Sequence, residues 1–179
     1  VIQVPATVTD EEILKLNAAG VRAVRFNLYR GGSAGIEDLD RLARRVHEVA
    51  GWHAELYADA SKLDAVFDTI ANLPKVSIDH LGMTPGGMPH LVKLAERGAK
   101  VKATGFGRTE VDVPTALRDL ARANPQCLMF GTDLPSQRAR RPFAPSDMDL
   151  IGDVLGDALA RRVFWDNAAE FYRPAELPR

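Results

Sequence analysis

The sequence predicts an α/β fold in which parallel strands alternate with helices, and two observations carry this prediction. First, apolar runs recur along the chain, with amphipathic helical patterns between them. The five clearest runs are residues 21–28, 52–57, 76–80, 101–104 and 128–133. Second, each run carries polar or charged side chains at or near its end, where the strands of a βα-barrel hold their reactive groups. The pattern therefore favours an enzyme built on a parallel sheet.

Helical patterns connect the predicted strands. Thr9 and Glu12 form a capping box ahead of an apolar run, which predicts a helix ending at Gly20. Residues 1–4 have an extended pattern and are interpreted as the remnant of one further strand, which precedes the five clear ones. Apolar residues at helical spacing predict further helices from residue 146 onward and over residues 36–49, 61–71, 89–97 and 114–123. These elements make about six βα units with right-handed crossovers.

Two kinds of sheet, the doubly wound sheet and the closed barrel, fit this alternation. A dinucleotide-binding sheet would need a glycine-rich turn after its first strand, which this sequence lacks. A phosphate-binding loop is excluded because Gly105 and Gly107 are followed by Arg108 rather than by Gly-Lys-Ser/Thr. A (β/α)8 TIM barrel typically takes about 250 residues, so the chain of 179 is about two units short. We interpret residues 1–179 as a single domain, an N-terminally truncated portion of such a barrel.

Composition and charge narrow the class of protein. With 46% hydrophobic residues, the chain can build one sizeable core. A formal net charge of −1 lacks the basic surplus of a nucleic-acid-binding protein, and no apolar stretch is long enough to span a membrane. Cys127 is the single cysteine, which favours a reducing, cytoplasmic setting. The expected partner is therefore a small molecule, with a homodimer as a further option.

Asp133 and His80 are the candidate catalytic residues, and each ends an apolar run that we interpret as a strand. A carboxylate at the position of Asp133 can accept a proton from an attacking water or bind a metal ion; capping a loop is the structural alternative. His80 could be a core histidine bonded to Asp79, but its place at a strand end favours function. Because side chains alternate along a strand, Asp79 is expected to face away from His80 and to be structural.

Five further residues are candidates for binding substrate: Arg25, Asn27, Tyr57, Lys102 and Arg108. Arg25 stands in an otherwise apolar strand, so its charge must be paired. Its partner is either a protein carboxylate, from Glu55 or Asp79, or a substrate carboxylate held by two hydrogen bonds. Lys102 has the same two alternatives. The cationic side chains in this set favour a small organic acid as the substrate.

Several motifs resemble those of the amidohydrolase-related (amidohydrolase 2) family. Residues 20–27 resemble its fourth-strand motif, residues 78–82 its sixth-strand motif and residues 130–135 its eighth-strand motif. Two further matches, to the seventh strand and to the closing helix, are residues 101–103 with Arg108 and residues 166–172. The branch they resemble comprises hydrolases similar to 2-pyrone-4,6-dicarboxylate lactonase. The resemblance implies a TIM barrel of the metal-dependent hydrolase type.

The chain departs from the family pattern at the first strand. Family members carry a His-x-His pair there, whereas the four histidines of this chain stand apart from one another. The chain is therefore expected to correspond to the carboxyl-terminal two-thirds of the family barrel and to hold part of its site. Relatives in the wider family often use zinc, while the lactonase branch works without a required metal. The resemblance thus leaves one divalent metal open, with His80 and Asp133 as ligands if a metal is used.

Residues and resemblance together predict a hydrolase that acts on a small carboxylated lactone or a related cyclic ester or amide. Asp133 would act as general base toward water, while His80 and the cationic groups would polarise the carbonyl and hold the anionic substrate. Two alternatives stay open. One is a metal-dependent decarboxylase of an unsaturated or aromatic acid. The other is a non-catalytic binding protein, whose unpaired strand edges would promote dimerisation.

Overall fold

A computed structural model of the chain describes residues 1–172. Within them the apolar runs form one parallel sheet, in which each strand pairs with its neighbour in the sequence. The strands are β1 (Ala23–Asn27), β2 (His53–Tyr57), β3 (Val76–Ile78), β4 (Lys100–Ala103) and β5 (Leu128–Phe130). Sequential parallel strands with a helix in each connection are the βα-barrel arrangement that the sequence predicts.

Helices fill the connections and pack against the sheet. They are α1 (Asp10–Ala18), α2 (Leu39–Ala50), α3 (Phe67–Ala71), α4 (Met88–Glu96), α5 (Val113–Ala123), α6 (Ser146–Arg161) and α7 (Asn167–Tyr172), with a π-helical segment (Arg162–Asp166) between the last two. The predicted cap of α1 is confirmed, because Thr9 Oγ1 accepts a hydrogen bond from the Glu12 N–H at 3.2 Å. Among the helices described, none is both long and apolar enough to cross a lipid bilayer.

The structure differs from the predicted elements in two segments of the chain. Residues 1–4 do not form a strand, and Ile2 instead makes a single parallel bridge to Val24. The helix predicted over residues 61–71 is divided into two 3-10 turns followed by the short α3. Asp59 causes this division in part, because its carboxylate accepts hydrogen bonds from the Ser61 N–H and from the Thr84 hydroxyl and so holds a tight turn.

Alternation along β2 separates an apolar core from a polar interior. Ala54 and Leu56 are fully buried in the hydrophobic core between sheet and helices. His53, Glu55 and Tyr57 point to the opposite face, and all three are buried as well. The face that lines the inside of the barrel therefore receives side chains able to carry charge or donate protons, and this face positions the site.

Candidate active site

Four charged residues inside the barrel form one ion-pair cluster, the inner cluster: Arg25, Glu55, Asp79 and Lys102. The register of β1 and β2 sets Arg25 beside Glu55, and Arg25 Nη1 lies 2.5 Å from Glu55 Oε1. Arg25 Nη2 lies 2.7 Å from Asp79 Oδ2. Lys102 Nζ lies 3.2 Å from Asp79 Oδ1 and also pairs with Glu55. Two cations and two carboxylates thus balance in charge.

Burial makes this pairing necessary. Glu55 and Asp79 are each only 1% exposed, and a buried carboxylate without a partner costs several kcal/mol. Burial alone would lower the pKa of Lys102, but the carboxylates of Asp79 and Glu55 outweigh it and raise that pKa above its ordinary value. Of the two alternatives for Arg25 and Lys102, the structure contains the ion pair, and contact with substrate stays a prediction.

Asp79 and His80 face the same side of the sheet, although alternation predicts opposite sides. Asp79 is still extended and continues the inner face of Ser77, which pairs with Glu55, so His80 is the residue that departs from alternation. β3 ends at Ile78, and the backbone turns sharply at His80, whose φ is 50°. Asp79 and His80 consequently line the same cavity. The expectation that they face opposite sides is wrong, because alternation holds only while the chain remains extended. The structural role predicted for Asp79 agrees with its ion pairs inside the barrel.

A second set of side chains, the rim group, lies beyond the carboxyl ends of the strands: His80, Thr104, Arg108 and Asp133. His80 Nδ1 and Thr104 Oγ1 share a hydrogen bond of 2.7 Å. Arg108 donates from Nε and Nη2 to Asp133 Oδ2, at 3.0 and 2.7 Å. The other carboxylate oxygen, Asp133 Oδ1, lies 3.9 Å from His80 Nε2. Arg108 therefore holds one carboxylate oxygen of Asp133, while the other oxygen faces His80.

The backbone of the rim group is held in an unusual conformation. His80 and Asp133 have φ angles of 50° and 56°, in the left-handed region that costs about 1–2 kcal/mol for residues other than glycine. Gly105, with φ of 61°, lies between them. A Cβ atom at Gly105 would come within 2.8 Å of His80 Nδ1 and 3.3 Å of Asp133 Oδ2. The absence of a side chain at this position allows the histidine and the carboxylate to approach each other.

His80 is neutral at physiological pH. Burial lowers the pKa of His80 to about 4, and although Asp133 opposes this shift, the positive charges of Arg108, Arg25 and Lys102 reinforce it. A neutral imidazole carries one N–H donor and one acceptor nitrogen. His80 can therefore donate one hydrogen bond and accept another near pH 7.

A cavity of about 290 Å³ joins the two sets of residues. The cavity is lined by His80 and Asp133 of the rim group and by Arg25 and Lys102 of the inner cluster. The remaining lining residues are Asp79, Thr104, Met129, Phe130, Gly131, Ala168 and Tyr172. The cavity has room for a small molecule, and both the cationic groups and the His80–Asp133 pair line it.

Two of the residues predicted to bind substrate lie at the edge of this arrangement. The Tyr57 ring packs between Arg25, 5.3 Å from its centroid, and the edge of His80 at 5.4 Å between centroids. The Asn27 side chain accepts a hydrogen bond from the Arg30 N–H at 3.0 Å and so closes the turn after β1. Tyr57 is thus in contact with both sets, while Asn27 is engaged in the local turn.

Sequence reasoning missed two residues of the site, Thr104 and Tyr172. Thr104 follows β4 directly and was predicted only as the end of a strand; its side chain, like that of Lys102 two residues earlier, reaches the cavity, and this spacing was the available signal. Tyr172 comes from the closing helix α7, and nothing local in the sequence places a helix terminus inside the barrel. Burial raises the pKa of Tyr172, so its hydroxyl stays protonated.

The residues present do not by themselves fit a metal ion. Within residues 1–172 there is no cluster of three or more His, Cys, Asp or Glu side chains arranged to hold one. The pair predicted as ligands, His80 and Asp133, supplies two donors, and the Arg108 guanidinium occupies Asp133 Oδ2. A divalent ion at this position would need further ligands and would face that positive charge. The metal therefore remains a prediction from the resemblance.

Two characterised relatives are similar to this chain over almost its whole length. The chain is 27% identical to a 2-pyrone-4,6-dicarboxylate hydrolase of Comamonas testosteroni over 207 residues, covering 99% of this chain and 67% of the relative. It is also 27% identical to a D-galactarolactone isomerase of Agrobacterium fabrum, covering 97% of this chain and 66% of the relative. The chain thus spans about two-thirds of the length of each.

Solved structures establish the fold independently. A crystal structure of an Agrobacterium tumefaciens protein superposes with a TM-score of 0.83 at 23% identity, covering 99% of this chain and 70% of that one. A Pseudomonas putida protein described as a 2-pyrone-4,6-dicarboxylic acid hydrolase superposes with a TM-score of 0.76 at 21% identity, over 96% of this chain and 70% of that one. The five-stranded sheet is therefore a portion of the TIM barrel that these proteins share.

The family follows from a match along the chain. The family model described as amidohydrolase (Amidohydro_2) covers residues 1–173, which include every residue of the inner cluster and of the rim group. This match agrees with the strand motifs that resemble the same family and with the parallel sheet that carries them. The chain belongs to the amidohydrolase family of enzymes.

Proposed function

We propose that the protein hydrolyses a small lactone that carries at least one carboxylate. The observation that supports this most is the pairing of His80 Nε2 with Asp133 Oδ1 across 3.9 Å at the cavity. That separation is too long for a direct hydrogen bond, yet a single oxygen atom can lie within hydrogen-bond distance of both groups. A water or a substrate oxygen placed there meets a base on one side and an imidazole on the other.

In the proposed reaction, Asp133 Oδ1 accepts a proton from water as the water oxygen bonds to the ring carbonyl carbon. Arg108 holds the other carboxylate oxygen and so directs Oδ1 toward the water. His80 donates a hydrogen bond from Nε2 to the carbonyl oxygen as negative charge develops on it. When the tetrahedral adduct collapses, the ring C–O bond breaks and the proton on Asp133 passes to the departing oxygen. The product is an open-chain acid.

The inner cluster contributes to binding an anionic substrate. Arg25 lines the cavity and its side chain is 29% exposed. A guanidinium has five N–H donors, and the ion pairs engage two of its nitrogens, so donors remain for a carboxylate. Lys102 lines the same cavity. The Comamonas relative, whose name specifies a 2-pyrone dicarboxylate, an unsaturated six-membered lactone with two such groups, supports this substrate class.

Lactone isomerisation is a second candidate, favoured by similarity to the relative named D-galactarolactone isomerase. The same carboxylate would then remove a proton from a substrate hydroxyl rather than from water, and the acyl group would move between two oxygens of one molecule. The metal-dependent decarboxylase considered from the sequence would need ligands in addition to His80 and Asp133.

Product analysis in H2¹⁸O tests the proposal and separates these reactions. The full-length protein is incubated with 2-pyrone-4,6-dicarboxylate and, separately, with aldaric acid lactones, and the products are analysed by mass spectrometry. Hydrolysis predicts a ring-opened product that gains one water and carries one ¹⁸O in its new carboxylate. An isomeric product without ¹⁸O indicates isomerisation instead, and loss of CO2 contradicts both.

A further inference from the structure

We propose that Thr104 is a positioning residue whose hydroxyl keeps the proton of His80 on Nε2, the nitrogen that faces Asp133. Thr104 Oγ1 and His80 Nδ1 are 2.7 Å apart, and both residues are only 7% exposed. The contact joins the end of β4 to the turn after β3, so it connects two elements at the level where the strands end. The assignment of the tautomer rests on this geometry, whereas its effect on turnover rests on the proposed function.

The surroundings of the ring select one of the two neutral tautomers. His80 Nε2 faces the Asp133 carboxylate at 3.9 Å. A proton on Nε2 points positive charge toward that carboxylate, whereas a proton on Nδ1 would turn a lone pair toward it. A threonine hydroxyl can donate or accept a hydrogen bond. The favourable combination therefore has the Thr104 O–H donating to Nδ1 and the imidazole keeping its proton on Nε2.

This tautomer is the one that the proposed reaction uses. An Nε2–H group can donate to a carbonyl oxygen that becomes negatively charged, whereas a bare Nε2 would repel it. Without the Thr104 hydroxyl, Nδ1 would lose its buried donor, and only the Asp133 carboxylate would still favour the proton on Nε2, so the fraction of the Nδ1–H tautomer would rise. Thr104 thus acts through His80 and has no direct contact with the reacting atoms in this scheme.

Nuclear magnetic resonance of the ¹⁵N-labelled histidine ring tests the assignment in the full-length protein at pH 7. The expected wild-type spectrum has protonated Nε2 and unprotonated Nδ1 for His80. Thr104→Val, which keeps the shape of the side chain but removes the hydroxyl, should shift the ring toward a mixture of tautomers. Thr104→Ser should restore the wild-type pattern. Thr69→Val, on α3 and away from the cavity, serves as the matched control and should change nothing.

Steady-state kinetics provide the second measurement. Thr104→Val should lower kcat about tenfold with little change in KM, and Thr104→Ser should recover most of the loss. A wild-type proton on Nδ1, or a Thr104→Val ring that keeps the wild-type tautomer, overturns the proposal. A shifted tautomer with unchanged turnover upholds the assignment and contradicts the role of His80 in the reaction instead. Circular dichroism establishes that each variant is folded.

Discussion

The inner cluster and the rim group each contain an arginine paired with an aspartate, but the two sets are arranged to opposite effect. In the inner cluster each cation faces two carboxylates, and Arg25 and Lys102 are held in fixed positions by Glu55 and Asp79. In the rim group the central pair, His80 and Asp133, stops short of a hydrogen bond. The inner cluster thus pairs all of its charges, whereas the rim group leaves a gap of 3.9 Å, which the proposed reaction fills with an oxygen atom.

The backbone conformation also differs between the inner cluster and the rim group. The inner cluster lies on or next to regular strands, where register fixes the neighbours. The rim group includes two non-glycine residues, His80 and Asp133, with positive φ angles. Unfavourable backbone conformations of this kind concentrate at functional sites. This difference supports the proposed function, in which charge-balanced residues inside the barrel support the site and residues beyond the strand ends carry out the chemistry.

Removing one charge from the inner cluster should produce the largest change in stability. Glu55→Gln leaves Arg25 and Lys102 with one carboxylate between them, and loss of a buried partner costs about 3–5 kcal/mol. Glu110→Gln is the matched control, since Glu110 pairs with Arg140 at the surface, where such pairs contribute about 0–1 kcal/mol. Urea denaturation measures both free energies of unfolding. Equal effects would show that the inner cluster is not a structural unit.

Acid should destabilise the protein through His80. Burial lowers the pKa of His80 to about 4 in the folded state, whereas an unfolded histidine titrates near 6.5. Between these values the unfolded state binds a proton that the folded state does not, so stability is present above pH about 6.5 and is lost as pH falls toward 4, by on the order of 3 kcal/mol.

The comparison for this prediction is His80→Gln, which cannot titrate. Urea denaturation between pH 7 and pH 4 should give a shallower loss of stability in the variant than in the wild type. Some loss should remain, because burial also lowers the pKa of His53, to about 3. An equal loss of stability in the two proteins would mean that folding does not lower the pKa of His80.

A methyl group at Gly105 should disturb the rim group while leaving the inner cluster intact. In Gly105→Ala the new Cβ would lie 2.8 Å from His80 Nδ1, and a misplacement of about 1 Å at a reactive group can cost on the order of 100-fold in rate. We expect kcat to fall about 10–100-fold. Gly152→Ala on α6, where nothing lies within 4 Å, is the control and should leave kcat unchanged. Equal activity in both variants would contradict the proposed packing.

The sequence predicted the parallel sheet and most of the rim group because both depend on local patterns. Apolar runs bounded by helix signals identify strands, and residues at strand ends meet at one edge of the sheet. Asp133, His80 and Arg108 were found in this way. The ion pairs of Arg25 were predicted as one of two alternatives, since a buried guanidinium requires an anion but does not specify which.

What could not be predicted depends on backbone turns and on contacts between distant segments. The expectation that Asp79 and His80 face opposite sides was wrong because the turn at His80, with its positive φ, has no clear signal in the residues Asp79-His80-Leu81. The pairing of Arg108 with Asp133 joins loops 25 residues apart in the sequence. The contribution of Tyr172 depends on how the closing helix enters the barrel, which helical periodicity does not report.

The turnover of Asp133→Asn tests most directly the claim that the rim group performs the chemistry. The asparagine keeps the size of the side chain and an acceptor for Arg108 but cannot take a proton, so kcat on the lactone substrate should fall about 10²–10⁴-fold. Asp149→Asn, an exposed carboxylate on α6, is the control and should keep full activity. A folded Asp133→Asn enzyme that turns over within about twofold of the wild type would contradict the account, since general-base removal should cost far more.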